Sequence, residues 1–234
     1  MKVLNFGSLN LDYVYQVESI LIPGETQASK SRQIFCGGKG LNQSIALAKA
    51  GIPVYHAGLI GEGGEPLLEV CKENGVNTEF IRQIPGPCGH TVIQVDENGQ
   101  NCILLFGGSN RSMTKEFVDT VLDSFEEGDI ILLQNEINEL DYIIDRAYEK
   151  HMMIILNPSP FAIAAARPEH PAYPHPPQLL PGSSARIASS FSSTSTANFL
   201  PAIPRKTPMN TPVPPTISAA INTPVILITR SSFC

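Results

Sequence analysis

The sequence lacks the features that mark a membrane protein or a nucleic-acid binder. Among its 234 residues there is no Trp, no run of Lys or Arg, and no window of about 18 apolar residues that would span a bilayer. The formal net charge is −6, which is unfavourable for binding a polyanion such as DNA or RNA. We therefore expect no nucleic-acid partner and no membrane partner.

Cysteine, histidine and the N-terminus likewise give no sign of an exported or metal-binding protein. The five cysteines are scattered and never spaced as Cys-x-x-Cys, so we expect mostly reduced, buried thiols and neither a disulfide framework nor a zinc site. His56 lies alone in an apolar context and is expected to be structural. Asn5 and Gly7 interrupt the first apolar stretch too early for a signal peptide. These observations predict a cytoplasmic protein.

Glycine and aspartate almost disappear after residue 157, and proline becomes frequent. Residues 1–157 contain 17 of the 18 glycines with 11 basic and 21 acidic residues, and residues 158–234 contain 15 of the 20 prolines with 5 basic residues and 1 acidic residue. We interpret residues 1–160 as the folded part. Residues 161–234, rich in Pro, Ser and Thr, are expected to be a disordered or irregular tail in which only residues 224–229 favour a strand.

Residues 1–160 follow the pattern of an α/β protein. Amphipathic spacing predicts helices at 41–50, 66–74 and 140–148, and Thr114 is placed to cap a further helix. Short apolar runs predict strands at 2–6, 54–60, 130–133 and 152–156. Apolar strands that alternate with helices indicate a parallel sheet covered on both faces.

Two regions interrupt this alternation with strands of their own. Residues 13–36 and residues 90–107 contain β-favouring stretches, and Asn98-Gly99 predicts a type I′ hairpin turn in the second region. Strands inserted between α/β units predict a small β-sheet that projects as a lid over the ends of the main strands. Such a lid implies a small-molecule ligand.

The most distinctive motif is the glycine-rich segment at residues 36–44, Cys-Gly-Gly-Lys-Gly-Leu-Asn-Gln-Ser, which leads into the first predicted helix. Glycines at a helix start expose backbone amides to an oxygen-rich or anionic ligand, and Lys39 and Asn42 are placed to face the same ligand. The motif is neither a Walker A loop nor a dinucleotide fingerprint. Taken alone, it is equally consistent with a flexible loop that carries a solvated lysine.

Polar residues also follow two of the predicted strands. Asn10 and Asp12 lie in a predicted loop after the first strand, and Glu136 follows the strand at 130–133. Open α/β sheets bind ligands at the carboxyl ends of their strands, where such side chains are able to hydrogen-bond vicinal hydroxyls. An ordinary turn and a solvated loop carboxylate remain the alternatives at this point.

Together these motifs resemble the ribokinase-like sugar kinases of the PfkB carbohydrate kinase family. The matching segments follow the family's order over residues 1 to about 160: Gly-Ser-Leu-Asn-Leu-Asp at 7–12, Pro-Gly-Glu-Thr at 23–26, Gly-Gly-Lys-Gly-Leu-Asn-Gln-Ser at 37–44, Asp-Glu-Asn-Gly at 96–99, Gly-Gly-Ser-Asn at 107–110 and Asn-Pro-Ser-Pro at 157–160. The resemblance implies a sugar site, with ribose as the first expectation, lined by Asn10, Asp12, Gly38, Lys39, Asn42 and Glu136. It also implies that ATP and Mg²⁺ serve the reaction and that the lid pairs two subunits.

The part of this family that completes catalysis has no counterpart in the sequence. The resemblance predicts an Asn-x-x-Glu segment, a Gly-Ala-Gly-Asp turn with the catalytic Asp, and a nucleotide pocket after residue 160. Residues 161–234 contain no Asp, a single Gly at Gly182 and a single acid at Glu169. We therefore assign no catalytic residue and expect a truncated kinase with low or no activity.

Several interpretations stay open. The tail is either natural or the product of a reading-frame shift near Phe161, which the abrupt change of composition favours. The function is either that of an inactive sugar-kinase descendant or that of a binding or subunit-pairing module that retains the sugar pocket and lid. An unrelated oxidoreductase or hydrolase is disfavoured, because the sequence has neither a dinucleotide fingerprint nor a Gly-x-Ser-x-Gly elbow.

Overall fold

The computed structural model describes residues 1–159 and 226–228, which belong to one compact unit. The strands are β1 (Val3–Phe6), β2 (Asn10–Gln16), β3 (Ser31–Gly37), β4 (Val54–Glu62), β5 (Asn77–Pro87), β6 (His90–Val95), β7 (Asn101–Phe106), β8 (Ile130–Gln134), β9 (Met153–Asn157) and β10 (Ile226–Ile228). The helices are α1 (Lys39–Lys49), α2 (Glu65–Glu73), α3 (Lys115–Leu122) and α4 (Leu140–Glu149), with a 3-10 turn at Gly108–Arg111. The predicted irregular tail lies outside the described residues. The strand expected within residues 224–229 is confirmed as β10.

The main sheet has six strands in the order β10-β9-β8-β1-β4-β5. β1 pairs in parallel with β4 and β8, so Val3 lies between Val54 on one side and Ile130 on the other. β9 and β5 continue the sheet in parallel, and β10 pairs antiparallel with β9. The α/β class with a parallel sheet, predicted from the apolar runs, is confirmed.

Alternate side chains of β1 enter two separate cores on the two faces of the sheet. Leu4 and Phe6 pack with residues of α3 and α4, and Val3 packs with residues of α1 and α2. Leu4 and Phe6 are fully buried, and each such side chain stabilises the fold by about 1.5–3 kcal/mol. Helices therefore cover both faces, as the nearly continuous apolar strands predict.

The helices begin and end at local sequence signals. The hydroxyl of Thr114 accepts a hydrogen bond from the backbone N–H of Phe117 at 3.2 Å and caps α3, as predicted. Gly51 follows α1 with a φ of +80°, a conformation typical of a glycine after a helix. α1 starts at Lys39, two residues earlier than predicted, because the glycine-rich motif itself forms the first turn. Among the described residues, no helix combines the length and hydropathy needed to cross a bilayer.

A second sheet has four strands in the order β3-β2-β6-β7. β2 and β3 follow β1 in the chain, and β6 and β7 follow β5, so both strand pairs are insertions, as predicted. Asn10 and Asp12 lie on β2 and not in a loop, which corrects the prediction. The physical reason is strand pairing, because Asn10 lies opposite Gly37 and Asp12 lies between Phe35 and a residue of β6.

The turn between β6 and β7 is not of type I′, so that prediction was wrong. A type I′ turn requires positive φ at both central residues, but of Asn98 and Gly99 only the glycine has one, at +77°. Asp96 provides the reason. Its Oδ1 accepts hydrogen bonds from the backbone N–H groups of Asn98 and Gln100, both at 2.9 Å, and these bonds stabilise a different turn.

The second sheet exposes apolar side chains. On β7, Ile103 is 53% exposed and Leu104 is 70% exposed, and Ile34 and Phe35 on β3 are exposed as well. Single apolar residues are common on protein surfaces. A group of them on one small sheet is typical of a surface that another molecule covers.

Candidate functional site

Ser8 and Glu136 meet at the carboxyl edge of the main sheet. Ser8 follows β1 and Glu136 follows β8, and these two strands are neighbours. The Ser8 hydroxyl donates a hydrogen bond to Oε2 of Glu136 at 2.5 Å. Both residues are buried. The structure thus places Glu136 at the end of a parallel strand, where the sequence predicts it.

Lys39, the first residue of α1, binds the same carboxylate through its side chain and its backbone. Its Nζ lies 2.5 Å from Oε1 of Glu136, and its backbone N–H donates to Oε2 at 3.1 Å. The Lys39 side chain is 35% exposed, and that of Glu136 is 6% exposed. The pair therefore keeps the carboxylate buried while part of the lysine reaches solvent.

The first amides of α1 are not free for a ligand, which corrects the interpretation of the glycine-rich motif. The N–H of Lys39 donates to Glu136, and the N–H of Gly40 donates to the Ser8 hydroxyl at 3.2 Å. The positive end of the α1 dipole stabilises a negative charge, and Glu136 already provides one. What the motif offers to a ligand is therefore the Lys39 side chain.

Gly38 and Gly40 allow α1 to start directly against the end of β1. Gly38 has a φ of +100°, and a Cβ at this position would lie 2.9 Å from the Ser8 carbonyl oxygen. A Cβ on Gly40 would overlap the backbone of Gly7 and Ser8. Because no other residue fits at these two positions, the motif specifies the close approach of helix and strand.

Asp12 lies on β2 beside this cluster. Its Oδ1 accepts a hydrogen bond from the Thr91 hydroxyl at 2.6 Å, and its Oδ2 lies against Gly37, where a Cβ would collide with it. Burial raises the pKa of Asp12, opposed by the Thr91 hydrogen bond, while the charge of Glu136 raises it further and that of Lys39 lowers it. Asp12 is therefore close enough to the Lys39–Glu136 pair for both charges to affect its pKa.

Asn10 is buried, and its side chain contacts Asn110. Only 2% of its surface is exposed, and its Oδ1 accepts a hydrogen bond from Nδ2 of Asn110 at 2.7 Å. Asn110 belongs to the 3-10 turn Gly108–Arg111. Sequence reasoning gave Asn110 no role in the site, because an asparagine after glycines is typical of any turn.

Asn42 is separated from the other five candidates. Its backbone N–H donates to the Gly38 carbonyl at 3.0 Å, and the residue is exposed. Within the described part of the chain, its side chain makes no hydrogen bond to another candidate residue. The structure therefore gathers Asn10, Asp12, Gly38, Lys39 and Glu136 around one place and leaves the Asn42 side chain in solvent.

A buried series of polar side chains lies beneath the glycine-rich motif. Nδ2 of Asn5 donates to the Gly40 carbonyl at 2.7 Å and to Oγ of Ser44 at 2.8 Å. Oγ of Ser44 lies 2.8 Å from Nδ1 of His56. Burial lowers the pKa of His56 to about 4, so the imidazole is neutral at pH 7 and only one of its two nitrogens carries a hydrogen.

Gln134 extends this buried series to β8. Its Nε2 donates to Oδ1 of Asn5 at 2.8 Å and to Oε1 of Gln43 at 2.6 Å. Among the described residues, the buried side-chain atoms without a hydrogen-bond partner are Nε2 of His56 and Oε1 of Gln134. Sequence reasoning missed the series, because single polar residues within apolar strands do not reveal which partners the fold brings to them.

Two features of the described residues bear on the expected ATP and Mg²⁺. In the part of the chain that the structure describes, no three His, Cys, Asp or Glu side chains are grouped to hold a metal ion. The glycine-rich helix start, a common place for a phosphate, holds the carboxylate of Glu136. No contact with ATP or Mg²⁺ is therefore assigned to these residues.

A parallel sheet with polar side chains at its carboxyl edge, and a second sheet inserted beside them, defines an α/β protein of the kind that binds ligands at its strand ends. The sequence profile of the pfkB family carbohydrate kinases matches residues 1–161. The chain belongs to this family, which confirms the resemblance and the fold inferred from the motifs.

Several relatives of this chain are ribokinases. It is 32% identical over 158 residues to ribokinase from Bacillus subtilis, a match that covers 66% of this chain and 54% of that protein. The crystal structure of ribokinase from Thermotoga maritima matches with a TM-score of 0.62 and 32% identity, over 68% of this chain and 53% of that one. Arabidopsis thaliana ribokinase complexed with ribose and ATP matches with a TM-score of 0.57 and 28% identity, over 68% and 53%. The chain thus spans about half the length of these relatives.

Proposed function

We propose that the described part of this chain is the sugar-binding part of a ribokinase-type kinase and binds a pentose, with ribose as the first choice. The observation that carries this proposal is the position of Asp12 beside the Lys39–Glu136 pair. A half-buried carboxylate accepts hydrogen bonds from sugar hydroxyls, and an adjacent ammonium group donates to their oxygens. The Arabidopsis relative, in complex with ribose and ATP, supports the choice of sugar.

Each candidate residue has a separate role in holding the sugar. Asp12 holds two neighbouring hydroxyls, and Lys39 orients them from the start of α1. Glu136 fixes Lys39 and contacts the sugar or the inserted sheet as the site closes. Asn42, whose side chain is exposed, reaches the sugar from the first turn of α1 by a change of its side-chain rotamer. Asn10 and Gly38 complete the wall of the pocket.

An unphosphorylated sugar suits this site better than a sugar phosphate. The guanidinium group of Arg32 lies 5.9 Å from the centre of the Tyr13 ring, and that of Arg111 donates to the Ile137 carbonyl at 3.2 Å. Both are engaged by the protein. The cation that acts on Asp12 is Lys39, and its charge is already matched by Glu136.

Phosphoryl transfer requires groups that we do not find among the residues that the structure describes. It needs a base near the sugar hydroxyl, with backbone amides and Mg²⁺ to hold the transferring charge. Residues 161–234, which follow the matched part of the chain, contain no Asp and one Gly. We therefore propose that the 234-residue chain binds sugar without phosphorylating it. We also propose that the relatives bind ATP and Mg²⁺ through the part of their sequence that does not match this chain.

Calorimetric titration of the purified chain with ribose tests the sugar site. We expect saturable binding, about tenfold weaker in Asp12→Asn, and unchanged binding in Asp123→Asn, which removes an exposed carboxylate after α3. A folded native chain that binds neither ribose nor another pentose would falsify the proposal. ATP-dependent sugar phosphorylation at the rate of an intact ribokinase would refute the predicted inactivity.

A second candidate function is a non-catalytic module that binds sugar and pairs subunits through the second sheet. The exposed apolar side chains of β3 and β7 favour it. Such a module needs a stable fold but no catalytic activity. Limited proteolysis that leaves a pentose-binding fragment of residues 1–160 would support it, and complete digestion would count against it.

The origin of residues 161–234 is tested in the coding DNA. We propose that a frame shift near Phe161 produced them. Translation of the other two frames downstream of codon 155 should then give an Asn-x-x-Glu segment followed by Gly-Ala-Gly-Asp. Absence of both motifs from every frame would identify a natural tail and favour the binding module. The cytoplasmic location stays a prediction, which cell fractionation tests.

A further inference from the structure

Asn110 is held by the backbone of Leu9 in a single orientation. Its Oδ1 accepts a hydrogen bond from the Leu9 N–H at 3.0 Å, and its Nδ2 donates to the Leu9 carbonyl at 3.1 Å. A backbone N–H only donates and a carbonyl only accepts, so an amide turned by half a rotation would lose both bonds. Asn110 is 1% exposed, and water would not replace them. The surroundings therefore define which atom of the Asn110 amide is the nitrogen.

The orientation of Asn110 determines the orientation of Asn10. Nδ2 of Asn110 donates to Oδ1 of Asn10 at 2.7 Å. If the Asn10 amide turned over, two NH₂ groups would face each other in a buried place. Gly89 leaves the room for this contact, because a Cβ there would overlap Nδ2 of Asn110 and lie 2.6 Å from Oδ1 of Asn10. The Asn10 oxygen therefore faces Asn110, and its nitrogen faces away.

The amide nitrogen of Asn10 is the end that remains for a ligand. Within the described residues it has no hydrogen-bond partner, yet it is not one of the two unpartnered buried atoms, which belong to His56 and Gln134. Asn10 as a whole is only 2% exposed, but its nitrogen is not fully enclosed, since a fully enclosed nitrogen without a partner would be a third such atom. It lies on the same face of β2 as Asp12, and a Cβ on Gly38 would lie 3.1 Å from the Asn10 backbone nitrogen.

We propose that Asn110 is a positioning residue that makes Asn10 a hydrogen-bond donor to the sugar. The inference rests on the proposed function and specifies the chemistry of the site. Asn10 donates to the lone pairs of one sugar oxygen, and Asp12 accepts the hydrogen of a neighbouring hydroxyl. One side chain thus donates a hydrogen bond to the sugar and the other accepts one. Asn110 makes Asn10 the donor without touching the sugar.

A double-mutant cycle on ribose affinity tests this role. Asn110→Ala removes the amide without adding a charge, and we expect ribose binding about tenfold weaker than in the native chain. In an Asn10→Ala background the same substitution should change the affinity no further, because Asn110 acts through Asn10. An equal loss in both backgrounds would overturn the proposal. Ser109→Ala is the matched control, since Oγ of Ser109 donates to the Leu59 carbonyl at 2.9 Å in the same turn; it should lower stability and leave ribose affinity unchanged.

Side-chain amide exchange measured by NMR in the native chain tests the orientation independently of sugar binding and of variant folding. Both hydrogens of the Asn110 NH₂ are bonded and should exchange slowly, while those of Asn10 should exchange faster than these and become protected when ribose is added. Fast exchange at Asn110, or protection of Asn10 without sugar, would refute the inference. A chain that shows the expected exchange but no pentose binding would refute the proposed function and leave the amide orientation standing.

Discussion

Glu136 organises one edge of the site through three hydrogen bonds. It accepts from the Ser8 hydroxyl and from the backbone and side chain of Lys39. The position of Glu136 after an apolar strand is readable from the sequence. Its partners are not, because they lie 97 and 128 positions away in the chain and meet it only when α1 packs against β1. The same limit applies to Asn110.

We expect Glu136→Gln to reduce both stability and ribose affinity. Glutamine has one oxygen in place of two, so the Lys39 ammonium group loses its counter-charge and Ser8 or Lys39 loses an acceptor. A hydrogen bond to a buried charge contributes about 1.5–3 kcal/mol, and the 35% exposure of Lys39 places the loss in the free energy of unfolding at about 1–2 kcal/mol. Urea denaturation measures it. Glu127→Gln, an exposed substitution, should have no effect; similar values for the two variants would show that the Glu136 bonds add nothing.

The buried His56 predicts a loss of stability in mildly acidic solution. Burial lowers its pKa from 6.5 to about 4, so between these values the unfolded chain binds a proton that the folded chain does not. This contribution to the free energy of unfolding is fully present above pH 6.5 and decreases as the pH falls toward 4. The raised pKa of Asp12 acts with the opposite sign, so comparison with a variant is needed. Urea denaturation across this pH range should show a flatter dependence for His56→Gln; parallel curves would contradict the assignment.

At the scale of elements, apolar runs and capping residues were sufficient to predict the interior strands and all four helices. β1, β4, β8 and β9 are nearly continuous apolar segments because helices cover both faces of the sheet. β5 was missed, since this strand at the edge of the sheet is largely exposed along its length and has no continuous apolar run. The turn at Asn98 was misjudged because the bonds from Asp96 outweigh the local preference of Asn-Gly.

The contact between α1 and β1 is tested by adding one methyl group at Gly40. In Gly40→Ala the new Cβ would overlap the backbone of Gly7 and Ser8, so helix and strand must separate. We expect a loss of about 2–3 kcal/mol in the free energy of unfolding and no measurable ribose binding. Gly51→Ala is the control, because Gly51 also has positive φ but no atom within 4 Å of its Cβ position; it should cost about 1–2 kcal/mol and leave the affinity unchanged. Ribose binding by Gly40→Ala at native affinity would show that the close approach is not needed.

At the scale of the whole molecule, composition alone indicates where the family-like part of the chain ends. Glycine becomes rare after residue 157, and the match to the family ends at residue 161. A parallel α/β fold needs glycines at its turns and acidic residues at its site. The loss of both residue types is therefore evident from the sequence alone, without comparison to a related protein. The pairing of β10 with β9 was not predictable, because residues 226 and 156 share no local signal; only the strand character of residues 224–229 was.

The proposed association of two chains through the second sheet gives a prediction about the whole molecule. Ile103 and Leu104 are adjacent on β7, so their side chains point to opposite faces of that sheet, and they are 53% and 70% exposed. If a second copy covers one face of this sheet, the double variant Ile103→Asp/Leu104→Asp places a charge in the interface whichever face is covered, and sedimentation should show a monomer where the native chain is a dimer. Ile52→Asp alters an apolar residue beyond α1 that is 39% exposed and should leave the dimer intact. A native chain that sediments as a monomer at micromolar concentration, or a dimer that survives the double variant, would exclude pairing through this sheet.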